Sequence, residues 1–160
     1  MRTGGMAERP TVAVGAVIED SLGRILLVKH VPERGGYWQG KWICPGGKLE
    51  LGETIEEGIR REVREETQLE IELVRPLPPF DRIVKSGDRV SLHIIYVDCL
   101  ARLVGGELKP GSDVGEARWV EKGRLPAMWD ELHADTRRLL EIGGVVDRSA
   151  GTVARKRSGS

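Results

Sequence analysis

The sequence predicts an α/β fold, an α/β/α sandwich built on a mixed β-sheet, and three observations lead there. Thr11–Glu19 (TVAVGAVIE) and Arg24–His30 (RILLVKH) are nearly continuous apolar segments joined by a turn at Asp20–Gly23. Val90–Leu103 repeats the pattern, with Leu92, Ile94 and Tyr96 pointing one way and Ile95, Val97 and Cys99 the other. Strands that are apolar on both faces need covering on both faces. The third observation is that two helical segments are available to cover them.

Thr54 opens the first helix, with Glu57 three residues later completing a capping box. Ile55, Ile59 and Val63 then fall on one stripe when successive residues are set about 100° apart. The second helix is expected over Met128–Ile142, where Trp129, Leu132, Leu139 and Leu140 supply the apolar face and Gly143 a C-terminal cap. Short strands are expected around Trp42–Cys44, Ile71–Val74 and Arg118–Val120, and Ser86-Gly87-Asp88 reads as the turn before the long strand.

The length of 160 residues suits one domain, placed at 11–143, with 1–10 as a flexible lead-in and 144–160 as a disordered, weakly basic tail. Basic and acidic side chains balance at 25 each, so no global field draws the chain to nucleic acid or to a membrane surface. There is no room for a DNA-binding domain, and no apolar run is as long as a membrane span. Cys44 and Cys99 read as reduced core thiols, which fits a cytoplasmic protein.

The chemistry concentrates in Gly46–Leu69, GGKLELGETIEEGIRREVREETQL, where a glycine-rich loop runs into the first helix. Glu62 and Glu66 fall on or beside the apolar stripe and Glu65 just past its edge, whereas a helix folded only for stability would carry its glutamates on the opposite face. The three are like charges at i, i+3 and i+4, which repel. Glu65 and Glu66 also lie in the last turn, where the helix dipole disfavours negative charge. A divalent cation would offset all three penalties, and Mg2+ takes oxygen ligands of this kind while bridging to phosphate. Arg61 is placed to orient a glutamate through its two-pronged guanidinium; the alternative is a plain surface ion pair. Gly35–Trp42 (GGYWQGKW) nearly matches a phosphate-binding P-loop, but Trp42 stands where Ser or Thr is needed and a strand follows. Tyr37, Trp38 and Trp42 read as packing residues of a loop, or as a platform for a nucleobase.

These residues resemble the signature of the Nudix hydrolase family, which includes MutT-like and ADP-ribose pyrophosphatase-like enzymes. The signature is a Gly, five residues, Glu, seven residues, then Arg-Glu-apolar-x-Glu-Glu-x-Gly-apolar. Gly47, Glu53, Arg61, Glu62, Val63, Glu65, Glu66 and Leu69 stand at the matching spacing, and Gln68 replaces the family's glycine. The resemblance covers about Thr11–Gly143 and implies a pyrophosphohydrolase using Mg2+ or Mn2+ on a nucleoside diphosphate linked to another moiety. ADP-ribose-like compounds and nucleoside triphosphates, oxidised ones included, both fit that description. By the same resemblance Glu62, Glu65 and Glu66 are metal ligands with the Gly46 carbonyl, Glu53 supports the site, Arg61 holds the glutamates, and Glu62 is the choice for general base. Some relatives take an acidic residue from a later loop, for which Asp113 and Glu116 are the candidates here; a solvated turn is the equal alternative. Lys29, His30, Trp42 and Lys48 are candidates for substrate contact, His30 reading more naturally as a solvated strand end. His93 and His133 have no partner that suggests a metal site. The family also leaves a homodimer open, and a non-catalytic nucleotide sensor on the same fold is the alternative function. An acidic helix face that binds a basic partner is a third reading, opposed by the inward placement of Glu62 and Glu66.

Overall fold

The structure, a computed structural model, describes residues 7–146. The expected lead-in before residue 7 and the tail from 147 onward lie outside the described residues. Residues 7–10 are described, and the Ala7 N–H donates to the Val90 carbonyl at 2.9 Å.

Seven strands form one sheet: β1 (Thr11–Glu19), β2 (Arg24–His30), β3 (Gly46–Lys48), β4 (Leu69–Pro76), β5 (Phe80–Ser86), β6 (Arg89–Gly106) and β7 (Val114–Glu121). The order is β4-β6-β1-β2-β7, with β3 added to β1 and β5 to β6. β1 and β6 run parallel, from Thr11 opposite Ile94 to Glu19 opposite Arg102, and the other pairings are antiparallel. The sheet is therefore mixed, as predicted. Helix α1 (Ile55–Thr67) covers one face, packing Ile59 and Val63 onto Val14, Ala16, Ile18 and Leu26. Helix α2 (Ala134–Ile142) covers the other, with Leu139 and Leu140 packed among Val17, Ile25 and Leu27. The two-faced apolar strands are explained by these two layers.

Several boundaries differ from the sequence expectation. Trp42–Cys44 is not a strand; Ile43 makes an isolated bridge to Val28 and Trp42 one to Leu132, and the regular pairing begins at Gly46. β5 was not expected, since FDRIVKS carries three charged residues and only Phe80 is buried. It is an outer strand, and its sequence shows it.

The second helix is shorter than Met128–Ile142. Pro126–Glu131 is a 3-10 segment, Leu132 is extended (φ −85°, ψ 142°), and α2 starts at Ala134 with His133 as its cap. The cause lies in Trp42, whose N–H donates to Glu131 O while its carbonyl accepts from His133 N. Those backbone groups would otherwise have continued the helix. The predicted apolar residues Trp129, Leu132, Leu139 and Leu140 are all buried nonetheless. His133 consequently sits on a cap, not a helix face, and its Nδ1 accepts from the Asp135 N–H. Gly143 caps α2 as expected, its N–H donating to the Leu139 carbonyl at 2.8 Å, and the left-handed residue that follows is Gly144 (φ 72°).

In α1 the Thr54 hydroxyl accepts from Glu57 N at 3.1 Å, the expected cap. Ile59 and Val63 are fully buried, but Ile55 is 44 % exposed, so the stripe starts one turn later. The helix ends at Gln68, held left-handed (φ 64°, ψ 20°). A side chain in that conformation is disfavoured where glycine is not. Gln68→Gly is expected to raise stability by up to about 1 kcal/mol, partly offset by greater freedom of the unfolded chain. Urea unfolding at equal slope checks this; an unchanged or lower midpoint would contradict it.

Candidate active site

The site begins where backbone must pass very close to other groups. A Cβ on Gly46 would sit 2.5 Å from the Val14 carbonyl, and one on Gly47 would sit 2.5 Å from the Glu62 carboxyl. Glycine at both positions lets β3 lie against β1 and under α1 at once. That approach brings the Gly46 N–H to Glu66 Oε1, at 2.8 Å.

The three helix glutamates occupy graded environments. Glu66 is only 5 % exposed, Glu62 is largely covered, and Glu65 faces solvent. Arg61 gathers the acidic groups around one guanidinium. It donates to Glu53 through Nε (2.7 Å) and Nη2 (2.8 Å), and through Nη1 to Glu62 (2.7 Å) and Glu65 (3.3 Å). Nη2 also reaches the Lys48 carbonyl at 3.1 Å. This fork holds the Glu53 carboxyl down at about 2, with help from the Glu50 N–H. Burial pushes the Glu62 carboxyl up; Arg61 opposes this, and the Glu66 and Glu65 charges add to it. Burial also raises Glu66, against the opposing pull of His30 and the Gly46 N–H.

Among the described residues no three His, Cys or acidic side chains converge closely enough to enclose an ion by themselves. Glu62 and Glu65 are turned onto Arg61, and Glu66 onto Gly46. The donor set still fits a hard divalent cation: it is all oxygen, and burial makes the uncompensated carboxylates costly. Mg2+ retains waters and shares phosphate oxygens, so it does not require a closed protein cage.

Next to this cluster lies a cavity of about 320 Å³ on the α2 side of β3. Gly46, Gly47, Lys48 and His30 form the end nearest the glutamates, and Trp38, Phe80 and Tyr96 supply aromatic walls. His30 is buried, correcting the solvated strand end expected of it. Its Nε2 is 3.6 Å from Glu66 Oε2, and neither ring nitrogen has a hydrogen-bond partner. Trp42 is 2 % exposed with Lys29 and Arg118 against its ring, and it does not line the cavity; Trp38 occupies the place expected for it. Lys29 is thereby directed onto Trp42. Asp113 pairs with Arg34 at the cavity rim, and Glu116 lies exposed on β7 opposite Lys29. Neither lines the cavity.

Two acidic residues of the cavity escaped the sequence reading. Asp135 (2 % exposed) accepts from Arg82 and from the Tyr96 hydroxyl, which in turn accepts from Trp38 Nε1 at 3.1 Å. The over-long helix concealed its position at the start of α2. Asp98 carried a legible signal, because it continues the series Leu92, Ile94, Tyr96 as a charged residue in an apolar row. It is 7 % exposed, and its Oδ2 has no hydrogen-bond partner. Burial pushes its carboxyl up to about 7. Because the folded value lies above the unfolded one, the native state holds the extra proton, and stability falls as pH rises from about 4 to about 7. Asp98→Asn is expected to remove a slope of up to about 1.4 kcal/mol per pH unit in that window. Denaturant unfolding at several pH values measures it, and parallel curves for the two proteins would refute it.

The profile of the NUDIX domain matches residues 9–140. The chain belongs to the NUDIX family. It is therefore a Nudix hydrolase of the pyrophosphatase class, and members of that family typically use a divalent metal. It is similar to an ADP-ribose pyrophosphatase of Methanocaldococcus jannaschii, 38 % identical over 120 residues, 74 % of this chain and 66 % of that one. It is also similar to the nucleoside triphosphatase NudI of an Enterobacter species, 40 % identical over 137 residues, 81 % of this chain and 93 % of the other. Among solved structures, a MutT NUDIX hydrolase from Burkholderia pseudomallei superimposes with a TM-score of 0.71 at 30 % identity, covering 84 % of this chain and 98 % of that one. The Nudix sandwich is thus the fold seen here. Among the described residues no helix is long and apolar enough to cross a membrane.

Proposed function

We propose that this Nudix hydrolase cleaves the pyrophosphate bond of a nucleoside diphosphate linked to another moiety, with Mg2+ or Mn2+ held by Glu62, Glu65, Glu66 and the Gly46 carbonyl. One observation carries the reading: an aromatic cavity opens directly beside the glycine pair against which Glu62 and Glu66 lie. A nucleotide has the matching two ends, an acidic diphosphate and a flat apolar base. When bound, the metal supplies charge neutralisation of the diphosphate and activation of a water for in-line attack.

The chain's own residues do the positioning. Arg61 and Glu53 fix the glutamates, so little reorganisation is needed when ligands arrive. His30 and Lys48 border the phosphate end, where their nitrogens can donate to phosphate oxygens. Glu62 is the choice for proton acceptor, since burial has already raised its basicity. Resemblance on one side to an ADP-ribose pyrophosphatase and on the other to a nucleoside triphosphatase supports the class and leaves both substrates within it.

The test is turnover, with Mg2+, of ADP-ribose, nucleoside triphosphates, dinucleoside polyphosphates and nucleotide sugars, with products separated. Hydrolysis of at least one member is expected, with strong loss in Glu65→Gln. Turnover unaffected by that change would remove Glu65 from the metal set, and no turnover of any member would refute the reading.

A further inference from the structure

The cavity's polar groups differ in how far they are already committed. Asp135 is tied to Arg82 and Tyr96, and the Tyr96 hydroxyl to Asp135 and Trp38. His30 faces Glu66 at the phosphate end. Asp98 is different: it lines the same cavity near Gly15 and Gly46, nine-tenths buried, with Oδ2 unpaired. Position in the sheet explains how it gets there. Asp98 lies opposite Gly15 on β1, as Tyr96 lies opposite Ala13, so both side chains emerge on the cavity face. Gly15 makes the space, since a Cβ there would stand 2.8 Å from Asp98 Oδ1.

A buried carboxyl without a partner is costly, and a cavity keeps one where a ligand completes it. The same cavity has Trp38, Phe80 and Tyr96 among its lining residues, surfaces suited to a flat ring. We propose that Asp98 determines base specificity, its carboxyl accepting a hydrogen bond from the exocyclic amino group of an adenine, cytosine or guanine seated in this cavity. The inference rests on the nucleotide reading above and adds to it the group that selects the base. A carboxyl oxygen accepts an amino N–H whether or not the other oxygen carries a proton. Uracil and thymine instead present a carbonyl at the equivalent edge, which an ionised carboxylate repels and only the protonated carboxyl can meet by donating. The preference is therefore largest above about pH 7, where the rates are compared.

The experiment compares matched pairs differing at that edge: CTP with UTP, and ADP-ribose with its hypoxanthine counterpart. kcat/KM is measured for the full chain, for Asp98→Leu, which has no acceptor, and for Asp98→Asn. The unmodified protein should favour the amino member of at least one pair by roughly 10–100-fold, the range for a site built around one base contact. Asp98→Leu should bring that ratio near unity. Asp98→Asn matches the original in size and guards against a folding failure; it should narrow the ratio, because its amide can turn to donate to the carbonyl of uracil. A ratio near one in the unmodified protein overturns the proposal, and so does a large ratio that both variants preserve. If no nucleotide is turned over, the proposed reaction fails separately, and calorimetric binding of the same pairs decides Asp98 by the same ratios. Absence of any binding overturns both.

Discussion

Glu66→Gln should abolish most turnover while making the metal-free protein harder to unfold. Glu66 is buried against Gly46, and burial holds its carboxyl above the ordinary range. A buried acid whose folded value is raised lowers stability as pH climbs past its unfolded value. Glutamine keeps the size and removes that cost, although its Oε1 still accepts the Gly46 N–H. Thermal melting at pH 8 without metal should therefore be higher in the variant, and the two proteins should converge toward pH 4. Activity moves the other way. With Glu66 as a metal ligand, as proposed, its loss is expected to lower kcat/KM by about a hundredfold or more, since losing even an outer-shell partner of a ligand costs 10–100-fold. Addition of Mg2+ should stabilise the unmodified protein and the variant much less. A variant that melts lower at pH 8, or that retains turnover, contradicts the assignment of Glu66.

Arg61→Ala should damage both properties together. Arg61 is shared by Glu53, Glu62 and Glu65 and also contacts the Lys48 carbonyl. Without it, a half-buried Glu62 stands beside Glu66 and Glu65 with nothing to balance them. Discounted for solvent at the exposed side of the cluster, the loss should be roughly 2–3 kcal/mol. kcat/KM should fall about 10–100-fold, as for other groups that orient a ligand. Arg61→Lys should recover charge but not the fork, and so fall between the two. Urea unfolding and initial rates on the same samples check this. Stability that falls with activity intact would make Arg61 a purely structural residue.

The sequence was most legible where a residue type contradicted its setting. Glutamates on the inward stripe of α1, in a Nudix-type signature, pointed to the site, and Glu66 is indeed buried against the glycine loop. Apolar strands with two buried faces pointed to the sandwich. What stayed hidden depended on contacts distant in sequence. Trp42 interrupts the second helix from across the fold, and periodicity carries no trace of that bond. The same interruption concealed Asp135 and the cap at His133. Trp42 and Trp38 could not be told apart as cavity residues, because which of two loop aromatics turns inward depends on where Lys29 and Arg118 lie. Asp98 is the instructive omission, an acid in an apolar row being as anomalous as a glutamate on an apolar stripe.

The short strand β3 is approached from two sides, by Glu62 and Glu66 from α1 and by the cavity from the α2 layer. Its glycines contribute almost no bulk, so the partition between the two is one backbone thick. The groups proposed for bond breaking and those proposed for choosing the base are thereby mounted on separate walls that share a hinge-thin boundary. On that proposal, substitutions at Asp98, Tyr96 or Trp38 change which molecule is admitted without touching the carboxylates behind β3. Such an arrangement lets one reaction be inherited intact while its clientele drifts.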